Sequence, residues 1–352
     1  MTIATPFPRN YGLDVARSMA ILMVLLIHSI KSMFHYTPPY GWYIGFGGVE
    51  LFFSLSGFLI GRFILELFDN NNFSYKGLRR FWIRRWLRTL PLYLFLFPLY
   101  WALVNIFLTP VDFDPSYLVF MQSLSTHRTF FPETWSIAIE EWFYLLFPCI
   151  AVLLRALSFA GIKFFNGRNA VVGSALICII VMIIARVWTA DPLWYHHGVL
   201  FRLDASAYGV LAAYLSSFYK TRSNKFALTL IVTGLAIWGL AVLLHLINYS
   251  NLVSSLYYPL CGIGTAIFVS GTYYYQFHKQ FASISFISRI SYSIYLVNFT
   301  GIFYPMEQVT IHLNRAQQAG CWVLGIALVI AVSTLTYRFI EEPFLKLKNQ
   351  VR

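Results

Sequence analysis

Charge is what this sequence has least of. Only 11% of its 352 residues are Asp, Glu, Lys or Arg, less than half the roughly 25% usual in soluble domains. Acidic residues are the scarcest, 14 against 26 Lys and Arg. The rest is 58% hydrophobic and 19% aromatic, too apolar for a soluble core of this length, so the chain reads as an integral membrane protein. In that class a net charge of +12 reports loop orientation, and nucleic acid is excluded as a partner. Cysteine is sparse too. Cys149, Cys178, Cys261 and Cys321 sit in or beside apolar runs without CxxC spacing, and they read as small buried hydrophobes. Long polar stretches, internal repeats and low-complexity segments are missing, so the expectation is one membrane domain over 1–352 with no appended extracytoplasmic domain. Only Arg9 precedes the first apolar run and no small-residue cleavage site follows it, so a cleavable signal is not expected.

What is there is a series of apolar runs of about 20 residues, the length that crosses a bilayer. They fall near 13–34, 48–68, 89–108, 134–154, 170–189, 200–218, 226–246, 256–276, 288–308 and 319–340. The expected fold is therefore all-α: a polytopic membrane protein of about ten transmembrane helices. Lys and Arg sort the links. Segment 69–88 holds Lys76, Arg79, Arg80, Arg84, Arg85 and Arg88, while 35–47, 190–199 and 247–255 hold none. By the positive-inside rule both termini are cytoplasmic.

Polar residues inside such runs are costly and need a cavity or a partner. The first run, GLDVARSMAILMVLLIH, carries Asp14, Arg17 and His28. At about 100° per residue all three share one helix face, with His28 about 16 Å beyond Arg17. The second run brings Glu50, Ser56 and the Gly57–Gly61 pair, a spacing that permits close helix approach. In the basic stretch KGLRRFWIRRWLRTLPLY, Arg80, Arg84 and Arg88 recur every four residues beside Arg85. A helix there would display an arginine stripe suited to anionic headgroups or to a phosphorylated donor such as coenzyme A. The fourth run, PETWSIAIEEWFYLLFP, holds Trp135 and Ser136 near its outer edge and Glu140, Glu141 and Tyr144 deeper in. Adjacent glutamates point about 100° apart, so one of the two is expected to face a site. Glu133 or Thr134 reads as a helix cap. The sixth run opens FRLDASAYG with Arg202 and Asp204, and Asn298 lies within the ninth. Counting helix rise puts His28, Glu140, Arg202 and Asp204 at a similar depth in the outer half of the membrane. A shared polar cavity is the expectation, with His28 as proton acceptor and Glu140 or Glu141 orienting it. The neighbours His196 and His197 point two ways and lack carboxylate spacing, so no metal site is expected.

These pieces, taken in order, resemble the acyltransferase-3 family of bacterial membrane O-acyltransferases. The likeness rests on Arg17-x10-His28, GGVELFFSLSGFLIGR, FWIRRWLRTLPLY, ETWSIAIEEWFYLLFP, FRLDASAYG, ISYSIYLVN and YRFIEEPF. It implies ten membrane helices in the bacterial inner membrane. It also implies transfer of an acyl group, most often acetyl from acetyl-CoA, onto a cell-surface or lipid-linked carbohydrate, with no permanently bound cofactor. By the same resemblance Arg17 and His28 are the essential pair of the first span, Arg84 and Arg85 engage the donor, and Glu140 is the acidic residue of the fourth motif. Many members end the ninth-span motif in His where this chain has Asn298.

The candidate catalytic set is thus His28, Glu140, Glu141 and Arg17. The candidate donor-binding set is Arg80, Arg84, Arg85, Arg88, Trp135, Ser136 and Tyr144. Asp14, Glu50, Ser56, Arg202, Asp204 and Asn298 are candidates for the acceptor side or the cavity wall. The partners expected are acyl-CoA, a carbohydrate acceptor and the bilayer. A proton-coupled transporter or exporter is the rival reading, because buried His and Glu also serve proton relays. Repeated halves, which many transporters show, are not evident.

Overall fold

The computed structural model describes residues 9–69, 73–108, 110–122, 130–159, 161–188, 201–219, 223–247 and 251–351. Their regular structure is entirely helical: α1 (Tyr11–Phe34), α2 (Gly41–Phe68), α3 (Tyr75–Phe107), α4 (Trp135–Phe159), α5 (Arg168–Trp188), α6 (Asp204–Ser217), α7 (Asn224–Ile247), α8 (Asn251–Tyr274), α9 (Ala282–Val297), α10 (Tyr304–Thr310), α11 (Arg315–Thr336) and α12 (Glu342–Gln350), with short 3₁₀ and π turns between them. A helix stands at each of the ten apolar runs. Among the described residues, seven helical segments are long and apolar enough to cross a membrane. The molecule is an all-α polytopic membrane protein, as expected. His127, His196 and His197 lie outside the described residues.

Local chemistry sets the ends of the helices that carry the site. Asn10 caps α1 by accepting the Leu13 amide at 3.0 Å, and the helix stops at His35, whose φ of 50° is left-handed. Ser74 caps α3 in the same way through Gly77. That cap makes the arginine stretch and the third apolar run one helix of 33 residues, about 50 Å long. A hydrocarbon core of about 30 Å cannot enclose it, so its basic first turns extend past one edge.

Two long helices carry a π turn immediately before a proline. Asn298–Phe303 joins α9 to α10 and precedes Pro305, while Tyr337–Glu341 joins α11 to α12 and precedes Pro343. A proline lacks the N–H for the carbonyl four residues back and its ring collides with that carbonyl. Widening the preceding turn absorbs both defects without ending the helix.

Helices α1, α2 and α4 form the centre of the bundle, and α7 and α11 its lipid-facing rim. More than half of the apolar stretch is buried in α1, α2 and α4, but 17% in α7 and α11. Gly57 of α2 and Gly209 of α6 bring those two helices into backbone contact. A Cβ at Gly57 would lie 1.8 Å from the Ser206 carbonyl oxygen, and one at Gly209 would lie 2.1 Å from that of Ser54. With α2 fixed against α6 on one side and α1 on the other, its remaining face closes a polar space shared with α3, α4 and α9.

Candidate active site

That space consists of two joined cavities. The wider one, about 450 Å³, opens at the end of the bundle where α1, α3 and α9 begin and α2 ends. Seven cations line it (Arg9, Arg17, Arg84, Arg85, Arg88, Arg289 and Lys348) against three carboxylates, Asp14, Glu66 and Glu341. Arg84, Arg85, Arg88, Arg289 and Lys348 have no carboxylate within 4.0 Å among the described residues. The excess of donors is therefore open to an anionic ligand. The inner cavity, about 90 Å³, continues between α2, α4 and α9, with Ser56, Thr89, Ser136, Glu140, Tyr144, Tyr292 and Tyr295 on its wall. Arg17, Leu59, Arg85 and Arg88 line both.

Each wall residue has a structural reason for its position. Asp14 accepts from Arg9 Nε at 2.7 Å and from the Ser288 hydroxyl at 2.8 Å. Arg17 Nη1 donates to that same hydroxyl at 3.3 Å and lies 3.7 Å from Asp14. The first turn of α1 is thereby tied to α9, with the Arg17 guanidinium at the cavity junction. Arg85 lies over the Tyr144 ring at 5.4 Å, a contact that fixes a planar cation. The Tyr144 hydroxyl donates to Glu140 Oε2 at 2.9 Å and pairs with Ser56 Oγ at 2.6 Å, which aims Glu140 into the cavity. Glu141 turns the other way. It is buried and accepts from the Thr89 hydroxyl at 2.7 Å, joining α4 to α3.

His28 lies beyond the inner cavity and is not part of its wall. Its Nδ1 is 2.6 Å from Asn298 Oδ1, and its ring is 5.1 Å from that of Phe299. The Asn298 amide nitrogen donates to the carbonyls of Ile294 and Tyr295, both at 2.8 Å. Its oxygen is thus left to accept, so His28 Nδ1 carries the proton and Nε2 keeps its lone pair. Tyr295, one turn from Asn298, joins the two regions. It lines the inner cavity, and its hydroxyl meets Ser136 Oγ at 2.6 Å and donates to the Glu133 carbonyl at 2.9 Å.

The sequence-based expectation is corrected at four points. The partner of His28 is Asn298, not Glu140 or Glu141, and among the described residues no carboxylate bonds His28. Glu50, Arg202 and Asp204 do not line either cavity. They neutralise charges inside the bundle instead: Arg202 pairs with Glu50, and Arg186 forks onto Asp204 at 2.6 and 3.0 Å, all four side chains almost fully buried. Arg202 also lies 4.2 Å from the centre of the Tyr258 ring. Trp135 packs among aromatics, stacked 5.9 Å from Phe46 and edge-on to Phe53, and Arg80 lies outside both cavities. Lastly, the Glu133 carboxylate bonds Thr300 where a helix cap was expected. It is buried and holds Thr300, taking the backbone N–H at 3.1 Å and the hydroxyl at 2.7 Å. A carboxylate placed just before a deeply apolar run was the one signal that it had a partner elsewhere.

Sequence comparison gives the chain its family. The acyltransferase-domain profile of the acyltransferase-3 family matches residues 10–338. The peptidoglycan O-acetyltransferase OatA of Listeria monocytogenes is 25% identical over 391 residues, covering 98% of this chain and 58% of that protein. The O-acetyltransferase OatA of Staphylococcus aureus is 24% identical over 372 residues, covering 95% and 57%. The chain thus spans little more than half the length of these relatives. No solved structure matches. With its family profile matched from the cap of α1 to the start of the second π turn, the chain belongs to the acyltransferase-3 family.

Proposed function

We propose that the chain transfers an acetyl group from acetyl-CoA to a hydroxyl of a cell-envelope carbohydrate, and that it works in the bacterial cytoplasmic membrane with the arginine-rich cavity facing the cytoplasm. The observation that carries this reading is the junction of the two cavities. A cationic vestibule large enough for a phosphorylated nucleotide narrows past Arg17, Arg85 and Arg88 into a space walled by Tyr295, whose carbonyl accepts from the asparagine that holds His28. Guanidinium groups without carboxylate partners suit phosphate oxygens, and the narrow continuation suits the thioester arm. The names of the relatives supply the acetyl group and the class of acceptor.

The chemistry follows from the free Nε2. It takes the proton of the acceptor hydroxyl as that oxygen attacks the thioester carbonyl carbon. The tetrahedral intermediate collapses, the new C–O bond remains, the C–S bond breaks, and the imidazolium returns its proton to the departing thiolate. Asn298 Oδ1 accepts from Nδ1 throughout, which holds the ring and its tautomer. The Tyr144–Glu140–Ser56 set and Arg85 position the arm, an entropic contribution. An alternative order, in which Nε2 itself first carries the acetyl group as an acyl-imidazole, uses the same atoms.

Purified protein in liposomes, given labelled acetyl-CoA and an envelope glycan, tests the reading. Transfer of label that disappears in His28→Ala is expected, and full transfer by His28→Ala would sink the assignment. Hydroxylamine-labile label on the protein without acceptor marks the acyl-imidazole order. Proton-driven uptake with no acetyl transfer would favour the transporter reading.

A further inference from the structure

Glu133 has an unusual place for a carboxylate. It is buried, 4% exposed, and has no cation within 4.0 Å among the described residues. Burying a charged group without a counter-ion is costly unless hydrogen bonds satisfy it. One residue reaches both of its oxygens: Thr300 N–H donates to Oε1 at 3.1 Å and Thr300 Oγ1 donates to Oε2 at 2.7 Å. Thr300 lies inside the π turn Asn298–Phe303, two residues after the asparagine that holds His28. The Glu133 carbonyl meanwhile accepts the hydroxyl of Tyr295, whose own carbonyl accepts the Asn298 amide. The 3₁₀ turn before α4 therefore holds the chain on both sides of Asn298, at Tyr295 in α9 and at Thr300 in the π turn.

A π turn is poorer in hydrogen-bond geometry than the helix around it and is common at functional sites. Left alone, this one has a way to relax: a return to α-helical pitch would rotate Asn298 about the helix axis and carry Oδ1 away from His28. The carboxylate–Thr300 clamp removes that freedom.

We infer that Glu133 is a positioning residue: through Thr300 it locks the π turn that presents Asn298 Oδ1 to His28 Nδ1, and so holds Nε2 toward the reacting hydroxyl. The inference rests on the proposed role of His28 as the base. Glu133 touches neither substrate nor the imidazole, and its effect belongs to the turnover step.

The experiment compares Glu133→Ala, Glu133→Gln, Thr300→Val and His28→Ala in liposomes, measuring kcat and the KM for acetyl-CoA separately. Glu133→Ala should lower kcat by about 10- to 100-fold, the scale of a displaced reacting group, with KM within about twofold because the donor vestibule lies elsewhere. Thr300→Val, which keeps the N–H and loses the hydroxyl, should fall between Glu133→Ala and the wild type. Glu133→Gln can still accept the Thr300 N–H and donate to its hydroxyl, and should restore most of kcat. Wild-type kcat in Glu133→Ala beside an inactive His28→Ala would overturn the positioning role and leave the base assignment standing. Full activity in His28→Ala would remove the base assignment itself. A parallel loss of kcat and a rise in KM in Glu133→Ala, unrescued by Gln, would overturn positioning in favour of a general scaffold role.

Discussion

Asn298 Oδ1 stands 2.6 Å from Nδ1 of His28, and the two residues come from α1 and from the π turn that follows α9. The pair replaces the carboxylate–histidine arrangement that a paired glutamate motif suggests. An amide oxygen fixes the tautomer but lacks the full charge that steadies an imidazolium. Replacing Asn298 by Leu should therefore cut kcat by about 10²-fold or more, as expected when the wrong tautomer becomes accessible. Asn298→Asp should retain more activity than Asn298→Leu. Single-turnover transfer from labelled acetyl-CoA measures both.

The cationic wall should separate binding from chemistry. Arg85→Ala and Arg88→Ala, which border both cavities, should raise the KM for acetyl-CoA by about 10- to 150-fold each, the loss of one charge-assisted contact of about 1.5–3 kcal/mol. Arg80→Ala, outside both, should leave it within about twofold. Arg85→Lys should recover little, since an ammonium does not reproduce the planar stack on Tyr144. Initial rates over a range of acetyl-CoA concentrations decide the point.

The two adjacent glutamates should differ in kind. Glu140→Gln alters a cavity wall held by Tyr144 and is expected to reduce turnover in a protein that melts normally. Glu141→Gln disturbs the buried α4–α3 link through Thr89 and is expected to lower the melting temperature with a smaller effect on turnover. Equal turnover losses in both variants, with unchanged melting, would contradict this division.

The ion pairs between α2, α5 and α6 should matter for stability alone. Arg202→Ala leaves Glu50 buried without its cation, and Asp204→Ala does the same to Arg186. Each should destabilise by about 3–5 kcal/mol. The double change of Glu50 and Arg202 to Leu and Met should cost much less than Arg202→Ala. Thermal unfolding in detergent gives the comparison, with acetyl-CoA KM as the control.

How much of this was legible beforehand depended on geometry within one helix or between several. The helix positions followed from hydropathy, because bilayer thickness sets the length of an apolar run. The common face of Asp14, Arg17 and His28 followed from helical pitch alone. Depth was counted from helix rise, which is why Arg202 and Asp204 were expected near His28. Depth does not give the direction around the bundle, and that direction puts Arg202 on Glu50 and Asp204 on Arg186. Arg186 is the counter-ion of Asp204, and no spacing within one helix pairs the two. Glu133 was hidden for a similar reason. Near a helix start a cap is the simplest local explanation, and its real partner, Thr300, is 167 residues away. The π turn itself follows from Pro305, yet a proline announces a defect in a helix without saying how the helix will resolve it.

The narrow junction ringed by Arg17, Arg85 and Arg88 has a consequence for the cell that carries it. A polar passage reaching into a membrane is a hazard wherever that membrane stores an ion gradient, since water inside it offers protons and sodium a short circuit. Fixed guanidinium charges at the waist raise the electrostatic cost for any cation entering, while drawing in anions. The same three side chains that suit a phosphorylated ligand can thus let a membrane-embedded site stay open to solute on one side without draining the potential across it.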